Sequence, residues 1–127
     1  MKFMMHMNVK GGPYQMEGWS PDDIKAMVAF MHEFNARLKS RGHLVMAEGL
    51  VAPQEARLVH ADDNGRPVVT DGPFAESKEF IAGFWIVEVK DAEEAYRLAA
   101  EVSTCPGPGG KPLNMPIEVR AVGSAPA

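Results

Sequence analysis

The sequence predicts one α+β domain in which two strand–helix–strand units flank a short hairpin, and three observations predict it. Strand-like runs occupy residues 2–9, 44–50, 80–89 and 116–122. Two stretches, one from Ser20 to about Gly42 and one from Asp91 to just before Cys105, instead carry apolar residues at helical spacing. Between the two units lies Asp62-Asp63-Asn64-Gly65, rich in residues that tolerate positive φ. A chain of 127 residues suits a single core, so residues 1–127 read as one domain.

In the first strand, Phe3, Met5, Met7 and Val9 alternate with Lys2, Met4, His6 and Asn8, and Gly11-Gly12-Pro13 is expected to end it. Ser20-Pro21-Asp22-Asp23 then reads as a helix start, with a hydroxyl cap, a proline at the first position and acids at the positive end of the dipole. Ile24, Met27, Val28, Met31, Phe34 and Leu38 form the stripe that this helix should bury. After the second strand, residues 56–61 and 67–70 form the hairpin. The run 80–89 is apolar on both faces, with Phe80, Ala82, Phe84 and Ile86 on one and Ile81, Trp85, Val87 and Val89 on the other. Such a strand is covered on both sides. Asp91 caps the second helix with Glu94 at its third position, and Ala95, Leu98, Ala99 and Val102 face inward. Cys105-Pro106-Gly107-Pro108-Gly109-Gly110 reads as a flexible connection to the last strand, where Ile117, Val119 and Ala121 oppose Glu118 and Arg120.

Composition narrows the function classes. At 46% hydrophobic and 24% charged the chain is ordinary for a folded globule, and a net charge of -4 offers no broad positive field for nucleic acid. No apolar run approaches the roughly 20 residues of a membrane span, and the start Met1-Lys2-Phe3-Met4-Met5-His6 is too short for a signal peptide. The lone cysteine, Cys105, is consistent with a reducing cytoplasm. His6, His32, His43 and His60 lack the paired spacing of a zinc site, so neither a metal nor another cofactor is expected. The Gly107-Pro108-Gly109-Gly110 loop lacks the lysine and hydroxyl of a phosphate loop.

The element order is that of a ferredoxin-like split βαβ domain with a hairpin inserted before its third main strand. Two helices cover one face of such a sheet, leaving the apolar side chains of the other face for a second copy, so the chain is expected to be a homodimer. His6, Asn8, Glu118 and Arg120 are placed on that inner face, where a few polar groups in an apolar enclosure resemble a small-molecule site.

Asp71-Gly72-Pro73-Phe74-Ala75-Glu76-Ser77-Lys78-Glu79, followed by Ile81-Ala82-Gly83-Phe84-Trp85, resembles the signature of DGPF proteins, which belong to the YCII-related domain family. The similarity extends to Phe34-Asn35-Ala36-Arg37-Leu38, to Ala47-Glu48-Gly49-Leu50, to the Cys105 loop and to Ile117-Glu118-Val119-Arg120. The resemblance implies a dimeric α+β barrel, an inferred catalytic role for a histidine and an aspartate, and an association with extracytoplasmic-function sigma factors. Asp71 matches the motif, and the helix histidine of the pair is His32, with His6 as the alternative partner. A buried pair of this kind makes chemical sense, because the carboxylate fixes the tautomer and strengthens the ring as a base.

Each candidate also has a plain structural reading. Asp71 before Gly-Pro suits a turn residue, and His32 flanks an apolar stripe. His6 and Glu48 serve equally as strand residues or pocket groups, Glu76 and Lys78 as loop solvation, and Trp85 as core or pocket wall. Cys105 has no predictable base beside it. Three functions follow from these readings: a small-molecule-binding dimer with cofactor-free acid/base chemistry at Asp71 and a histidine, a non-catalytic regulatory module for a sigma factor, and, by fold analogy, a cofactor-independent oxygenase or isomerase.

Overall fold

The computed structural model describes residues 1–10, 18–71 and 79–123. The strand end expected at Gly11-Gly12-Pro13 and the turn at Gly72-Pro73, with Glu76 and Lys78, lie outside the described residues. The elements are β1 (Lys2–Lys10), α1 (Pro21–Ser40), β2 (Leu44–Gly49), β3 (Arg57–Ala61), β4 (Pro67–Asp71), β5 (Glu79–Glu88), α2 (Ala92–Ser103) and β6 (Ile117–Ala121).

Both helices start where their caps dictate. Ser20 Oγ accepts from the Asp23 amide while Asp23 accepts from the Ser20 amide, a reciprocal capping box, and Asp91 accepts from the Glu94 amide. Between β3 and β4, Asp62 Oδ1 accepts from the Asn64 and Arg66 amides at 2.8 and 2.9 Å, and Gly65 supplies the positive φ of +78°. This hairpin forms its own two-stranded sheet.

The main sheet has the order β2-β5-β1-β6, and all its neighbours are antiparallel. That is the split βαβ arrangement predicted from the element order. The sheet stays open within one chain; no closed barrel forms among the described residues. Both helices lie on one face, where Phe3, Met5, Trp85, Val87 and Val89 pack with Phe34, Leu38, Leu98 and Val102. The opposite face carries two cross-strand rows. One runs Glu48, Phe84, His6, Glu118 and the other Met46, Ile86, Met4, Arg120. No helix of the described residues is long and apolar enough to cross a membrane.

Two expectations about side-chain direction are corrected. Met7 faces Gly83 and Asn8 faces Ile81, so Ala82 is the extra residue of a β-bulge and the alternation of β5 inverts there. Ile81 therefore joins the uncovered face with Asn8, and Phe80 joins Val9 in the phase of the helix side, the reverse of a strictly alternating strand. On α1 only Phe34 and Leu38 are buried, while Ile24 and Val28 are 36% and 43% exposed. The N-terminal half of the helix stands off the sheet, over a cavity.

The Cys105 loop, read from sequence as a flexible connection, is also a built feature. Leu113 N donates to Cys105 O and Gly107 N to Lys111 O, folding the segment back on itself. A Cβ at Gly107 would fall 2.5 Å from Leu113 Cδ2, so a larger residue there would have to displace the leucine side chain. Asp23 ties the loop to the start of α1 by accepting from the Gly109 amide at 3.1 Å.

Candidate functional site

The space between the first half of α1 and the sheet is a cavity of about 660 Å³, within the size range of small-molecule sites. Met27, Met31 and Asn35 form its roof; their four-residue spacing sets them on one helix face. Its floor is the region of the bulge, where Met7, Gly83 and Trp85 lie side by side. Leu113 and Met115 close it from the loop after α2. Gly83 sits close to β2 at the floor, where a Cβ would lie 3.1 Å from Glu48 O and press on the neighbouring backbone.

Trp85 is fixed from two directions. Its ring meets Phe34 edge to face, with centroids 5.7 Å apart and planes at 90°, and its indole N–H donates to Asn35 Oδ1 at 2.7 Å. The side chain is only 5% exposed, so this hydrogen bond satisfies a donor that burial would otherwise leave stranded. Cys105, also on the cavity wall, is fully buried, and burial pushes its thiol up to about 11. It is therefore a protonated thiol near neutral pH, unsuited to nucleophilic attack.

A second cluster lies on the face that the helices leave uncovered. His6 is 7% exposed, with Nδ1 2.9 Å from Asn8 Oδ1 and Nε2 2.8 Å from Glu118 Oε2. The register explains the contact, because His6 and Glu118 are directly opposed on β1 and β6, and Asn8 follows His6 on the same side. Asn8 and Glu118 also line a smaller hollow of about 200 Å³ with Glu79, Pro116 and Ile117.

The sequence-selected residues thus divide between three places. Trp85 is a cavity wall, and Glu48 borders the cavity while its side chain shares the uncovered row with Phe84. His6 and Glu118 are brought together; Arg120 lies one row away, opposite Met4. Asp71 ends β4, where its carboxylate is 83% exposed and 3.5 Å from Arg57 Nε. His32 is exposed on α1. No contact joins His32 to Asp71 among the described residues, and neither lines the two hollows. Asn35 is a cavity residue that sequence reasoning misses. The available signal was an amide in the same i, i+4 row as Met27 and Met31. Among the described residues no group of three or more His, Cys, Asp or Glu side chains is placed to hold a metal ion.

An uncharacterized protein of Rhizobium meliloti (strain 1021) is 26% identical over 109 residues, covering 86% of this chain and 87% of that protein. The model of the YCII-related domain matches residues 1–106, a span from β1 through α2 that includes most of the cavity's residues. With most of its length and its core elements inside that match, the chain belongs to the YCII-related domain family.

Proposed function

We propose that this protein binds a small, mostly apolar molecule in the cavity beneath α1, and that it does so as a homodimer. The carrying observation is the cavity: about 660 Å³ of space under a helix whose Met27 and Met31 line it, Met31 while also packing against the core. The hollow opens partly to solvent, and its mostly apolar lining gains dispersion contacts when an apolar molecule fills it. The methionines suit an adaptable binding surface.

Homodimerisation is supported by the uncovered sheet face, where Met4, Phe84 and Ile86 are only half-buried and Met46 is exposed. Sheet-to-sheet packing of two copies gives a dimeric α+β barrel and encloses the His6 cluster between them. For cofactor-free acid/base chemistry, the resemblance supports Asp71 with His32. Contact geometry supports His6 with Glu118, a pair already at 2.8 Å. Equilibrium binding of N-phenyl-1-naphthylamine, a neutral apolar probe, tests the central reading. Saturable binding at about one probe per chain, weakened in Met31→Trp because the larger ring intrudes on the cavity, is the expected result. Unsaturable binding in both proteins would remove it and leave the sigma-factor regulatory module as the better reading.

A further inference from the structure

Building on that cavity reading, we infer that the ligand is a neutral, largely apolar ring compound carrying one hydrogen-bond acceptor, and that Asn35 Nδ2 reads the acceptor. An indole N–H is only a donor, so the Asn35 atom 2.7 Å from Trp85 Nε1 is the carbonyl oxygen, and the orientation of the amide follows from chemistry. Its NH2 end is left with two donors and no partner among the described residues. No fully buried side-chain nitrogen or oxygen lacks a hydrogen bond, so this NH2 is open to space, and Asn35 lines the cavity. A ligand carbonyl, ether or ring nitrogen meets that donor; a ligand donor does not.

Charge selects further. Of the described lining residues, only Glu48 and Cys105 ionise, and no lysine, arginine or histidine is among them. Glu48 shares its row with Phe84 and His6, on the sheet face away from the helices. The buried Cys105 thiol is neutral. An anion in the cavity would have no counter-charge and a cation would have none on its own side of the sheet, so either would lose hydration without return. What remains is mostly apolar: the face of Trp85 and the thioethers of Met27 and Met31, which favour contact with a flat ring.

The test is equilibrium dialysis of the whole chain against four probes of one shape: naphthalene, 2-acetylnaphthalene, 2-naphthoate and 2-naphthylmethylammonium. The expected order places 2-acetylnaphthalene first, roughly 2- to 10-fold tighter than naphthalene, the worth of one hydrogen bond, with both ions weaker than either. Asn35→Asp keeps an acceptor for Trp85 while removing the donors, and the acetyl advantage should vanish in it. If that variant does not fold, the paired Asn35→Leu and Trp85→Phe substitution removes donor and dependent together and is read the same way. Equal binding of the two neutral probes, or tightest binding by an ion, overturns the inference and leaves the cavity reading standing. Saturable binding of none of the four overturns the cavity reading itself.

Discussion

His6 Nε2 and Glu118 Oε2 lie 2.8 Å apart across β1 and β6, on a sheet face that no helix covers, yet the histidine is 93% shielded from solvent. Neighbouring side chains, together with Asn8 and Glu118, bury the ring and satisfy both of its nitrogens. Replacing His6 with Leu removes two hydrogen bonds, one to a carboxylate, and is expected to cost about 1–3 kcal/mol in denaturant unfolding. His6→Gln, which keeps one polar end, should lose less. Equal stability of all three proteins would show that the cluster contributes nothing to the fold.

Trp85 belongs to the helix-side core and not to the uncovered face, so Trp85→Glu is expected to unfold the chain; splitting a dimer is not its primary effect. Trp85→Phe keeps a ring against Phe34 and gives up the bond to Asn35, a loss of about 1 kcal/mol or slightly more. Circular dichroism melts of the two variants separate the cases. A folded, monomeric Trp85→Glu protein would contradict the placement of this residue.

The dimer is tested on the other face. Ile86 and Met4 are opposed on β5 and β1 there, so Ile86→Glu should leave the helix-side core intact and weaken association, since a buried unpaired carboxylate costs several kcal/mol. Light scattering of the wild type at micromolar concentration should give twice the chain mass, and the variant the single mass. A monomeric wild type would remove the dimer from the proposal.

Asp71 and His32 call for a test in which structure and chemistry separate. Asp71→Asn keeps the side chain's size and loses only the exposed pairing with Arg57, worth at most about 1 kcal/mol, so the fold should survive. If the pair is functional, probe binding or any turnover falls in Asp71→Asn and in His32→Gln, with non-additive effects in the double variant. Unchanged binding and turnover in both would leave the His6 cluster as the remaining acid/base candidate.

Asp23 carries a pH signature. Hydrogen bonds from the backbone amides of Ser20 and Gly109 hold its carboxyl below the ordinary aspartate value. Because the folded value is depressed, the contribution of Asp23 is full above the unfolded value near pH 4 and is lost as pH falls through the folded one. Asp23→Asn should therefore lower the melting temperature at pH 7 and matter progressively less below about pH 4. A melting difference that stayed constant from pH 7 to pH 2.5 would contradict this ionic role.

Local chemistry made the elements legible in the sequence: the Ser20 and Asp91 caps, the Asp62 turn and the alternation of β1 each act within a few residues of themselves. The order of those elements then constrained the sheet, because crossover rules leave few ways to arrange two βαβ units. Tertiary structure alone decided three things. The bulge at Ala82 inverted the side chains of Phe80 and Ile81, a one-residue change in pairing that periodicity within a single strand does not register. The standoff of α1 turned Met27 from core into roof and left Met31 shared between core and cavity, since the distance from helix to sheet depends on how Phe34, Trp85 and the folded-back Cys105 loop pack together. And Asn35, one amide in a helix, became a candidate reader of ligand only because Trp85, fifty residues away, takes its oxygen and leaves its nitrogen free.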